Sequence, residues 1–122
     1  MPGERLNKVA QAIKEEVAQI IQQEIKDPRI GFATVTRVTV SPVLEHAAVY
    51  FSILEGQGDW AKTEDGLKSA QGYVRRLLGR RLRMRVTPEI VFRADRSVAE
   101  SIRMSKLIDE LNKPKDEEKP NE

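Results

Sequence analysis

"SAQGYVRRLLGRRLRMRV", Ser69–Val86, decides the fold, because its apolar residues keep helical spacing while a glycine interrupts them and six arginines surround them. Val74, Leu77, Leu78 and Leu82 continue a period begun by Leu67 and Ala70, so one face of a helix is apolar throughout. Gly72 sits inside that run and costs roughly 1 kcal/mol relative to alanine in a helix interior. The segment is therefore read as a pair of helices, and Gly72→Ala is expected to strain their junction.

On a helical wheel anchored by Leu67, Val74 and Leu78, the arginines Arg76, Arg80 and Arg83 fall together on the outward side, with Arg75 on the flank. Arg81 would point toward the apolar side, so the helix is expected to end or bend between Gly79 and Leu82. Arg81, Arg83 and Arg85 then lie near a helix C-terminus, where the macrodipole favours cations. Arg75, Arg76 and Arg80 are the better candidates for phosphate contact. Tyr73 is the only aromatic residue in the stretch, which favours backbone and shape contacts over base stacking.

The charge of the whole chain points the same way. Net charge is only +2, yet residues 61–96 hold 10 basic and 4 acidic groups, against 6 and 8 in residues 1–60 and 5 and 7 in residues 97–122. A basic band between two mildly acidic segments suits a polyanionic partner.

Outward from this stretch, Leu6, Val9, Ile13, Val17, Ile20, Ile21 and Ile25 form the apolar stripe of a long first helix, which "KDPRIG" terminates. "FATVTRVTV" reads as a strand whose alternation changes phase between Val35 and Val38, placing a bulge near Thr36 or Arg37. "SPVLE" turns the chain into a second strand, "HAAVYFSIL", forming an antiparallel hairpin. In "EGQGD", Asp59 is the candidate N-cap of the helix beginning near Trp60. "EIVFRAD" is a third strand, which can lie parallel to the second because helices join them. Ser97 and Glu100 have capping-box spacing, and Met104, Leu107, Ile108 and Leu111 supply the apolar face of a last helix. The final ten residues, "KPKDEEKPNE", contain no apolar side chain and are expected to form a disordered tail.

The fold class is α+β, with a three-stranded mixed sheet covered by helices on one face. At 122 residues with 39% hydrophobic content, the chain suits one core, expected over residues 1–112 with the tail at 113–122. It has no cysteine, which fits a reducing, cytoplasmic setting. No apolar run is long enough for a signal segment or a membrane span.

Catalytic chemistry is not expected. The sole histidine, His46, has no nucleophile beside it. The carboxylates lack metal-ligating spacing, and no Walker lysine follows the glycine loop. Asp27 and Asp95 stand at element boundaries, where capping is their expected role. Neither cofactor nor metal nor small-molecule substrate is implied.

Taken together, "IKDPRIG", the Ala70-Gln71-Gly72 trio, "YVRRLLGRRLRMRVTPEIVFRAD" and "SIRMSKLIDEL" closely resemble the ribosome-binding factor A family, a type II KH-like fold lacking the G-x-x-G loop. The resemblance runs from about Leu6 to Leu111 and implies the order helix, strand, strand, helix, kink, helix, strand, helix. It implies that Ala70, Gln71 and Gly72 form the interhelical kink and that Arg75, Arg76, Arg80, Arg81, Arg83 and Arg85 face RNA. It also implies a monomeric, non-enzymatic factor that binds immature 30S subunits through 16S rRNA, assists late rRNA maturation and is often associated with growth in the cold. Without the G-x-x-G clamp, recognition by shape is expected. A protein-interaction module whose arginines meet an acidic partner is the alternative.

Overall fold

A computed structural model describes residues 2–31, 33–53 and 58–112. Phe32, Leu54 and the expected tail lie outside the described residues, as does most of the glycine loop. The elements run α1 (Pro2–Gln23), β1 (Ala33–Val40), β2 (His46–Ile53), α2 (Trp60–Arg81), β3 (Glu89–Ala94) and α3 (Ser97–Leu111). β2 is central, pairing antiparallel with β1 and parallel with β3.

The core forms where the helical stripes meet the inward parity of the sheet. Ile13, Val17, Ile20 and Ile21 of α1 and Leu67, Val74 and Leu78 of α2 bury against Ala47, Val49, Phe51 and Ile53 of β2 and Ile90 and Phe92 of β3. β1 contributes Ala33, Val35, Val38 and Val40. These could not all face inward on a regular strand, and the register explains how they do: Val35 pairs with Phe51 and Arg37 with Tyr50, so Thr36 is the extra residue of a β-bulge.

That bulge anchors the end of the sheet. The Thr36 hydroxyl lies 3.3 Å from the Tyr50 carbonyl and donates to Asp95 Oδ2 at 2.9 Å. Asp95 Oδ1 accepts from the Ser97 hydroxyl at 2.6 Å and the Ser97 amide at 3.1 Å. Asp95 thus serves the start of α3 as expected. Ser97 does not form the expected capping box, however: the N-cap position is Arg96, without a side-chain cap bond, because the Ser97 hydroxyl is committed to Asp95. Asp27 accepts from the Arg29 amide at 2.9 Å and pairs with its guanidinium at 2.6 Å, so it holds a turn and caps no helix.

The bonds from the Ser97 hydroxyl and amide and from Thr36, with the nearby Arg37 charge, hold the Asp95 pKa at about 2, below the ordinary 3.8. Between those values the unfolded chain binds more protons than the folded one. The stabilisation is therefore complete above about pH 4 and lost as pH falls toward 2. Asp95→Asn is expected to lower stability by about 1–3 kcal/mol at neutral pH and to flatten the acid limb of a stability–pH profile measured by urea unfolding.

Two sequence expectations need correction. Trp60–Arg81 is one continuous helix, so Ala70, Gln71 and Gly72 do not separate two helices. The reason is energetic: the roughly 1 kcal/mol cost of glycine is outweighed by burying Leu67, Val74 and Leu78 on one uninterrupted face. Ala70 packs on the core, and Gln71 Oε1 lies 3.3 Å from the Phe92 amide on edge strand β3. A Cβ at Gly72 would meet nothing within 4 Å. Gly72→Ala is therefore expected to stabilise the fold by about 0.5–1 kcal/mol, which a thermal melt would detect. The second correction concerns α3. Its apolar residues Met104, Leu107, Ile108 and Leu111 are all about half exposed or more and do not join the core.

Candidate nucleic-acid interface

α2 starts and stops by local chemistry legible in its sequence. Asp59 accepts from the Lys62 amide at 3.1 Å as the N-cap. At the other end the Arg83 amide bonds to the Arg80 carbonyl and the Met84 amide to the Gly79 carbonyl, the paired bonds of a Schellman motif. Such motifs usually place glycine where Arg83 sits, at φ 52°.

The arginine-rich end of α2 approaches the loop before β3 unusually closely. A Cβ on Gly79 would lie 2.5 Å from Thr87 Oγ1, so only glycine fits without displacement. Arg75 secures the same loop, with Nη2 donating to the Thr87 carbonyl at 2.9 Å and Nε at 3.3 Å. Arg81 is half-buried and bridges to α1, its guanidinium 3.4 Å from Glu16 and 3.0 Å from Glu24.

The six expected arginines therefore divide. Arg75 and Arg81 are engaged within the fold: the exposed Arg75 gives Nε and Nη2 to the Thr87 carbonyl, and Arg81 pairs with two carboxylates. Arg76, Arg80, Arg83 and Arg85 are exposed. Among the described residues none of these four joins an ion pair; the Arg76 guanidinium lies 5.9 Å from the Tyr73 ring centroid. They form a cationic end to α2 that can engage several phosphates.

Arg83 holds a left-handed conformation that disfavours a side chain by about 1 kcal/mol. Arg83→Gly is expected to raise the melting temperature while weakening polyanion binding, so that stability and affinity move in opposite directions.

His46 Nδ1 lies 3.1 Å from Glu89 Oε1 at the exposed start of β2, a surface pair rather than a buried dyad. Among the described residues no group of three His, Cys, Asp or Glu side chains is placed to hold a metal ion. No helix there is long and apolar enough to cross a membrane.

One cationic feature was missed by sequence reasoning. Arg37, Tyr50 and Arg93 occupy one cross-strand row. Their outward parity was legible, but only the bulge brings Arg37 level with Tyr50.

Comparison with known proteins adds to this geometry. A family model described as "Ribosome-binding factor A" matches residues 5–108. A protein of that name from Azoarcus sp. is 46% identical over 112 residues, covering 90% of this chain and 89% of the relative. The crystal structure of ribosome-binding factor A from Thermus thermophilus superposes with a TM-score of 0.66 at 26% identity, covering 73% of this chain and 93% of that one. Coordinates of the Thermus thermophilus factor fitted into a cryo-EM map of its complex with the 30S subunit give a TM-score of 0.63 at 26% identity, covering 75% and 96%.

Proposed function

The chain belongs to the ribosome-binding factor A family, and from that premise we propose that it is a non-enzymatic assembly factor that binds immature 30S subunits through 16S rRNA and assists late rRNA maturation in the cytoplasm. Residues 1–112 form its KH-like ribosome-binding domain, acting as a monomer, and residues 113–122 are a tail dispensable for folding. As a member of this family it is associated with growth in the cold.

The observation that carries this reading is the end of α2. Arg76 and Arg80 near the end of α2 and Arg83 and Arg85 just past it lie exposed around a helix terminus that Arg75 and Arg81 tie to neighbouring segments. This arrangement presents fixed positive charge without a nucleotide clamp, which suits a folded rRNA surface read by its shape and phosphates.

Gradient sedimentation of a cell extract tests the proposal. The protein is expected with free small subunits, depleted from assembled ribosomes and released by nuclease. Sedimentation at the top of the gradient would contradict it. So would a complex that survives nuclease, which would favour an acidic protein partner.

A further inference from the structure

We propose that the sheet face opposite α1 and α2 is a second RNA contact, in which Arg37 and Tyr50 stack an unpaired base and Arg93 holds an adjoining phosphate. This inference rests on the reading of the protein as an rRNA-binding factor and adds a site on the other side of the domain.

The geometry begins with the bulge at Thr36. It shifts the phase of β1 so that Arg37 pairs with Tyr50, which pairs in turn with Arg93 on β3. A single outward row therefore reads arginine, tyrosine, arginine. The Arg37 guanidinium carbon lies 3.8 Å from the Tyr50 ring centroid, within stacking range. Asp95 Oδ2 is 3.5 Å from Arg37 Nε, so a carboxylate that is itself fixed by Thr36 and Ser97 holds the guanidinium over the ring.

The Arg37 side chain nonetheless remains 57% exposed. The guanidinium carbon sits over the Tyr50 ring while much of the side chain stays open to solvent, which leaves room for a further planar group to stack on it. Unpaired bases stack on aromatic rings and on guanidinium planes in single-stranded RNA recognition. Small residues flank the row on β2, with Ala48 on one side and Ser52 on the other, and Thr34 and Thr39 accompany them on β1. No bulky side chain from β2 therefore stands beside the stack. Arg93 is exposed at the edge of the row, within reach of a phosphate attached to a base stacked at Arg37. A planar base with a flanking anion satisfies both features, whereas an acidic peptide would use the charges and leave the stacking plane unused.

The test uses a short single-stranded oligoadenylate RNA containing one fluorescent adenine analogue, whose emission falls on stacking. At low ionic strength the wild-type protein is expected to bind and quench it. Arg37→Lys keeps the charge but lacks the planar group, and is expected to abolish the quench and weaken binding about 5- to 100-fold. Tyr50→Leu, checked for folding by circular dichroism, is expected to do the same. Wild-type behaviour in both folded variants would overturn the proposal. So would failure of the wild type to bind the oligonucleotide, or its displacement by polyglutamate with equal affinity for that peptide. Binding to immature small subunits is measured on the same preparations. Intact subunit binding without a quench rejects the stacking site alone, whereas loss of subunit binding by the wild type rejects the parent reading.

Discussion

Replacing Arg76, Arg80, Arg83 and Arg85 together by alanine is expected to flatten the plot of log affinity against log salt for immature small subunits by about 3 units. Each guanidinium that neutralises a phosphate releases condensed counterions and adds roughly 0.7 to 0.9 to the slope. None of the four belongs to an ion pair among the described residues, so their loss leaves no carboxylate stranded in the fold. Exposed arginines contribute under about 1 kcal/mol each to folding. Alanine at position 83 keeps the Cβ at φ 52° and so leaves the backbone strain as it is, and circular dichroism is expected to show a folded variant. A salt series on both proteins checks the expectation, and coincident slopes would place the RNA elsewhere.

The other large effect is on stability, at Gly79. Alanine is the better helix former by about 1 kcal/mol, yet Gly79→Ala is expected to destabilise the protein by about 1–3 kcal/mol net, the cost of overpacking a closed contact. The new methyl would lie 2.5 Å from Thr87 Oγ1, with Thr87 Cβ at 3.6 Å and Cγ2 at 3.8 Å behind it. Relief requires the Thr87 side chain to leave its present rotamer or the loop to move. The loop cannot withdraw freely, because Arg75 binds the Thr87 carbonyl and Pro88 is buried beside it. A fall in melting temperature of about 4–8 °C per kcal/mol would register the clash. Gly72→Ala, in the same helix, is expected to shift it the other way.

That contrast marks where the sequence could and could not be read. Both glycines carry the same propensity cost, and what separates them is the surroundings: solvent at Gly72 and Thr87 at Gly79. The bulge at Thr36 was legible because apolar parity switches between Val35 and Val38, and the Asp59 cap because it immediately precedes a periodic run. The arginines were harder. A helical wheel ranks Arg75, Arg76 and Arg81 by angle alone, but Arg75 is engaged by a backbone carbonyl, which has no sequence signature, and Arg81 by Glu16 on α1 and Glu24 just after it, both distant in sequence. Arg37 and Arg93 likewise lie far apart in the chain and meet across Tyr50 only through strand register. In α3, helical periodicity marked apolar residues without indicating whether anything packs on them.

The C-terminal end of α2 is the surface we propose faces rRNA. Val86 is 73% exposed and follows Arg85 directly, so a photoreactive residue there leaves every arginine in place. Ala61 is exposed in the first turn of α2, about 30 Å from the arginine end at 1.5 Å rise per residue. Irradiating each labelled protein bound to immature small subunits is expected to give 16S rRNA crosslinks from position 86 far exceeding those from position 61. Crosslinks from position 61 with none from position 86 would contradict the account.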